Sequence, residues 1–127
     1  DSRRPQPSEV TAKIIEEVTG AERSQLAAYD IIDQCIVPMI NEALAIMEEN
    51  KAQRASDIDI VWINGYGWPI DKGGVMYYAD SLGAKRVVEV MERLAADDDT
   101  IRISPKLYEL LETGARFVDV DTGGLKV

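Results

Sequence analysis

Between Cys35 and Met47 the chain sets Ile36, Val37, Ile40, Leu44 and Ile46 nearly all the way round a helical cylinder. A helix apolar on almost every side is stable only when other elements surround it. The run belongs to a longer helical pattern from about Ser24 to about Asn50, in which Leu26, Tyr29, Ile32, Ile36, Met39, Ile40, Ala43, Leu44 and Met47 share a broad face. Pro38 falls inside it, removing one backbone hydrogen bond and predicting a kink. The expected fold is therefore all-α, a multihelical domain organised on a long kinked central helix.

Shorter helices follow from periodicity and caps. Ser8 precedes Val10, Ile14, Ile15 and Val18 at helical spacing, with Gly20 as the stop. Ser56-Asp57-Ile58-Asp59 reads as a capping box opening a helix to about Asn64. Val75, Met76, Tyr77, Ala79 and Leu82 predict a helix ending at Gly83, and Val87, Val88, Val90, Met91 and Leu94 another that runs into Asp97. Ser104-Pro105 opens a last helix through Leu107, Leu110 and Leu111 that ends at Gly114. The only strand-like patterns, Asp57 to Ile63 and Arg116 to Val120, are short. Residues 1–7, with Pro5 and Pro7, read as an arm or linker; 8–117 form the helical domain; 118–127 read as a loose tail.

A length of 127 residues suits one domain. With 14 Lys and Arg against 23 Asp and Glu, the net charge of −9 argues against nucleic acid or an anionic membrane as partner, since both demand a basic surface. There is no histidine, so neither a Ser-His nor a Cys-His nucleophile can be assembled. Cys35 is the single cysteine, which excludes an internal disulfide and favours a reducing compartment. Its apolar neighbours predict a core position for it. No stretch is long and apolar enough for a membrane span, and Asp1 to Pro5 lack the apolar segment of a signal peptide. The absent initiator Met is what a processed chain or an excised piece of something longer would show.

The densest local signal is the loop Gly65-Tyr66-Gly67-Trp68-Pro69-Ile70-Asp71-Lys72-Gly73-Gly74. It begins like G-x-G-x-x-G but lacks the last glycine and follows a helix rather than a strand, so the dinucleotide fingerprint fails. Two readings stand: a loop that is architectural, and one that also borders a ligand cleft. Trp62 and Trp68 are expected to fill the space between helices. Asn41 and Glu42, inside so apolar a helix, need internal partners and are expected to tie down a neighbouring loop.

Three stretches together resemble the C-terminal helical region of 3-hydroxyacyl-CoA dehydrogenases, especially the last helical repeat of the multifunctional enzymes of fatty-acid β-oxidation. They are Cys35-Ile36-Val37-Pro38-Met39-Ile40-Asn41-Glu42-Ala43, Ala55-Ser56-Asp57-Ile58-Asp59-Ile60-Val61, and Asn64-Gly65-Tyr66-Gly67-Trp68-Pro69 continuing through Gly73-Gly74, Met76 and Ala79-Asp80. The match runs from Asp33 to Gly83. It implies the 6-phosphogluconate dehydrogenase C-terminal-domain-like fold, and a parent enzyme in which a separate Rossmann domain binds NAD and acts on acyl-CoA. It implies a sibling helical repeat as partner, and no catalytic, cofactor-binding or metal-ligating residue in this chain. Where catalytic repeats of the family carry an asparagine-arginine pair, Asp33 and Gln34 stand here. Within this resemblance Gly65, Tyr66, Gly67, Trp68, Pro69, Gly73, Gly74 and Met76 form the expected loop and docking face. Asn41 and Glu42 are its expected anchors. The reducing compartment favoured by the single cysteine gives the expected location as cytoplasmic, peroxisomal in a eukaryote, and a helical domain deprived of its sibling repeat is expected to expose an apolar patch and form a homodimer when isolated. The alternative is a freestanding helical dimerisation or interaction module without catalysis.

Overall fold

A computed structural model describes residues 6–20 and 26–122, and all the predicted helices form within them. Helix α1 spans Glu9–Thr19; the Ser8 side chain accepts from the Thr11 amide, and Gly20 closes the helix in the left-handed conformation. Helix α2 spans Ala28–Glu48 and carries Pro38 in its interior. Helix α3 spans Ala55–Gly65. Its capping box sits two residues before the predicted one: Arg54 is the N-cap, and its backbone and guanidinium both donate to Asp57. A 3-10 turn at Ile70–Lys72 leads to α4 at Val75–Leu82. Gly83, at φ 81°, breaks the chain into α5 at Ala84–Asp97. Helix α6 spans Pro105–Thr113, capped by Ser104 and stopped by Gly114 as its sequence predicts. A 3-10 turn at Phe117–Asp119 follows.

Helix α2 is central, packing against α3, α4, α5 and α6. Asp33, Val37, Ile40, Asn41 and Leu44 form its inward stripe at helical spacing. Of these, Val37, Ile40 and Leu44 meet Val75, Met76 and Ala79 of α4, Val87, Val90 and Met91 of α5, and Leu107 and Phe117 in one buried cluster. At about 25 cal/mol per Å2, apolar burial of this kind is the main favourable contribution to the fold. The first turns of α2 are not enclosed: Tyr29, Ile31 and Ile32 are exposed, as is Leu26 just before the helix. Cys35 is exposed as well, contrary to its predicted core position. It lies two residues from Val37, so a 100° turn per residue places it away from the inward stripe.

Among the described residues there is no strand. Asp57 to Ile63 is interior to α3, and the Arg116 segment forms the second 3-10 turn. The chain beyond 117 is also less loose than its composition predicts. Phe117 and Val120 are buried, the Ala55 amide donates to the Val120 carbonyl at 3.1 Å, and the Thr122 amide donates to the Gln53 carbonyl at 2.9 Å. The segment 118–122 therefore belongs to the folded domain. The predicted arm lies outside the described residues except for Gln6 and Pro7, and so does the tail from 123.

Candidate functional site

The glycine loop is held from behind by α3. Asp59, buried on the inner face of α3, accepts from the amides of Met76 at 2.7 Å and Tyr77 at 3.2 Å. These are N-terminal donors of α4, whose own N-cap is Gly74 with no side chain to offer. Gly74 is at φ 96°, and a Cβ there would stand 2.4 Å from the Cβ of Asp59. Close approach of the two segments and the positive φ both demand glycine at this position. No local pattern marks Asp59 as an anchor; the sequence signal for one is the Gly-Gly pair directly before an apolar helix, an N-terminus with no local cap.

Burial pushes the Asp59 carboxyl above its ordinary range; the Met76 and Tyr77 amides pull it down, and the charge of Asp80 adds to the rise. The folded protein thus holds this proton more tightly than the unfolded chain does. The stability it contributes is full below the ordinary aspartate pKa and is lost as pH rises through the raised one. The stability advantage of the native chain over Asp59→Asn is therefore expected to be greatest in acid and to narrow toward neutral pH. Urea midpoints of the two proteins across that range measure it, and a gap widening with rising pH would contradict it.

The aromatic residues form a continuous cluster across the loop. Trp62 meets Tyr66 at 5.4 Å and Trp68 edge-on at 5.5 Å, and Trp68 meets Tyr78 edge-on at 5.7 Å between ring centroids. The Trp68 amide donates to the Trp62 carbonyl at 3.3 Å, while its indole Nε1 is buried without an acceptor. The predicted docking face therefore divides in two. Gly65, Tyr66, Gly67 and Pro69 are exposed, Trp68 is half-buried, Gly73 is partly covered, and Gly74 and Met76 are buried. Met76 faces the core, because Asp59 draws the start of α4 inward. Ile70, 79% exposed, and Tyr77, 54% exposed, stand on the outside instead.

Asn41 and Glu42 do not hold this loop. Asn41 is buried; its Nδ2 donates to the Arg102 carbonyl and its Oδ1 accepts from the Ser104 amide, each at 2.8 Å. Glu42, one residue and 100° further round α2, is exposed. The second polar partner is Glu48, two turns from Asn41 on the same face, whose Oε1 accepts from Ser104 Oγ at 2.6 Å and the Lys106 amide at 2.8 Å. Both therefore fasten the entry to α6. Asp33 pairs with Arg86 and ties α2 to α5, and Asp80 accepts from the Phe117 amide at 2.7 Å.

These carboxylates serve as caps and ties between helices. Among the described residues, no group of three or more His, Cys, Asp or Glu side chains could hold a metal ion. No described helix is long and apolar enough to cross a membrane. The start of α4 also does not fit the pyrophosphate of NAD, since a bound anion needs open helix N-terminal amides and Asp59, itself acidic, already occupies those of Met76 and Tyr77.

Fold and site together define an all-α domain built on a buried central helix, with an aromatic loop pinned by a carboxylate from the helix behind it. The chain belongs to the family described as 3-hydroxyacyl-CoA dehydrogenase, C-terminal domain, whose model matches residues 31–123. It is 41% identical over 88 residues to the human peroxisomal bifunctional enzyme, an alignment covering 68% of this chain and 12% of that protein. It is 31% identical over 99 residues to the zebrafish peroxisomal bifunctional enzyme, covering 76% of this chain and 14% of the relative. It is 35% identical over 94 residues to the Arabidopsis thaliana peroxisomal fatty acid beta-oxidation multifunctional protein MFP2, covering 68% and 13%. The chain thus spans roughly an eighth of the length of the curated relatives it matches.

Proposed function

We propose that this chain is a non-catalytic packing domain of an NAD-dependent 3-hydroxyacyl-CoA dehydrogenase of fatty-acid β-oxidation, joined in the parent polypeptide to a Rossmann domain and a sibling helical repeat. The carrying observation is the loop from 65 to 74, pinned from inside by Asp59 while Tyr66, Pro69 and Ile70 face outward. An apolar surface displayed on a rigid support suits docking against another domain. The acyl-CoA and NAD then belong to the other domains, and the location follows that of the peroxisomal relatives where the source is eukaryotic. On this reading the domain boundaries are 8 at the N-terminal side and about 122 at the C-terminal side.

Two measurements test it. An antibody raised against this chain should detect a native polypeptide several times heavier than 14.1 kDa. The isolated chain, offered NAD and a 3-hydroxyacyl-CoA, should produce no NADH above the uncatalysed rate. A native band near 14.1 kDa would favour a freestanding interaction module, and turnover by the isolated chain would overturn the non-catalytic assignment.

A further inference from the structure

Helices α3 and α4 are joined at two levels, one helical turn apart on each. At the first, Asp59 of α3 accepts from the Met76 and Tyr77 amides of α4. At the second stand Ala55 of α3 and Asp80 of α4, each four residues from Asp59 and Met76 respectively and so on the same helix faces. The chain after α6 bridges them. Asp80 accepts from the Phe117 amide at 2.7 Å and the Val118 amide at 3.4 Å, and the Val120 carbonyl accepts from the Ala55 amide at 3.1 Å. Phe117 is buried in the core, and Thr122 fastens the segment to the Gln53 carbonyl through both its amide and its hydroxyl. The Ala55 amide is a first-turn donor that α3 itself cannot satisfy, so the Val120 carbonyl takes the place of a side-chain cap there.

We propose that residues 117–122 form a strap that clamps α3 onto α4 and thereby sets the rigidity of the 65–74 loop at the far end of the pair. This inference concerns how the loop is held and does not rest on the functional reading above. Among the described residues, the backbone hydrogen bonds of the loop run only to itself and to its two flanking helices. Its shape therefore follows from where α3 ends and where α4 begins. An α4 of 8 residues is too short to hold its place unaided, so its position comes from its core side chains and from the two joints. Two helices joined at one level can pivot about it; joined at two levels a turn apart, they cannot. The strap grips the end of α3 remote from the loop, and the 11 residues of that helix carry its effect over about 16 Å. Arg116, 3.4 Å from Asp80, adds an ion pair to the grip. Unseating the strap leaves Asp59 as a lone hinge, so the Met76 and Tyr77 amides open more often and the loop moves with them.

Residue-resolved amide hydrogen exchange tests the proposal on the 127-residue chain, on a chain ending at Phe117, and on Asp80→Ala. The shortened chain keeps Phe117 and its bond to Asp80 but lacks Val120 and Thr122, while Asp80→Ala releases the strap at its other end. Alanine favours the helix, and loss of the Asp80 charge removes a repulsion on Asp59, so neither local effect of that change loosens the Asp59 joint. In both variants the Met76 and Tyr77 amides should exchange faster by about tenfold or more, with Leu44 in α2 and Val90 in α5 accelerated by less than about threefold. Unchanged protection at Met76 and Tyr77 beside a newly exchanging Ala55 would show a strap that holds α3 alone, and would overturn the proposal. Equal acceleration at Met76, Tyr77, Leu44 and Val90, outright unfolding included, would overturn it as well, because the segment would then be a general part of the core.

Discussion

Replacing Asp59 with alanine is expected to lower the stability of this domain by about 3–5 kcal/mol, enough to unfold a marginally stable domain. The carboxylate accepts from the amides of Met76 and Tyr77 at the start of α4, where Gly74 has no side chain that could substitute. Its loss leaves two donors short of a partner, each costing roughly 1–3 kcal/mol where water cannot reach. Urea denaturation of the native and variant chains measures the loss. Amide exchange at Met76 and Tyr77 localises it, since those two should lose protection first. Gly74→Ala should also destabilise, because its Cβ would meet the Asp59 side chain at 2.4 Å. Removing the Asp59 carboxyl in the same molecule relieves that part of the clash, so the double variant should cost less than the sum of the single ones. Strict additivity would show that the two positions do not touch.

The second large effect is expected from Asn41→Asp, at about 3–5 kcal/mol near neutral pH. Asn41 uses both ends of its amide, donating to the Arg102 carbonyl and accepting from the Ser104 amide. Aspartate keeps the acceptor and turns the donor into a carboxylate oxygen facing a carbonyl, in a position only 7% exposed. The penalty should shrink in acid, where the protonated aspartate can donate again. Urea midpoints at two pH values read both parts, and an equal loss in acid and at neutrality would count against this account. Glu42→Gln, on the exposed neighbour, should change stability by no more than about 0.5 kcal/mol.

These effects mark where local pattern ends and tertiary contact begins. Helix positions were legible because caps and periodicity are local: Ser8, Gly20, Ser104 with Pro105, and Gly114 each act within a turn of their own helix. The burial of α2 was legible from Val37, Ile40 and Leu44, since a stripe at helical spacing has to meet something apolar. The anchors were not legible in the same way. Asn41 and Glu42 are equally polar neighbours in sequence, and only the direction each faces separates a bond to residue 104 from exposure to solvent.

The amino-acid sequence by itself thus determined the helical class, the central helix, the positions of the breaks and the glycine-aromatic loop, because each depends on contacts within a few residues or on the total apolar content of a segment. Tertiary structure alone decided which carboxylate caps α4, that Met76 turns inward while Ile70 and Tyr77 turn out, that Cys35 lies in solvent, and that the chain past Phe117 closes against α3. The physical reason is that a hydrogen bond between residues 59 and 76, or 41 and 104, leaves no periodic trace in either segment. Its partner is set by how the intervening helices cross, and that follows from the packing of the whole core.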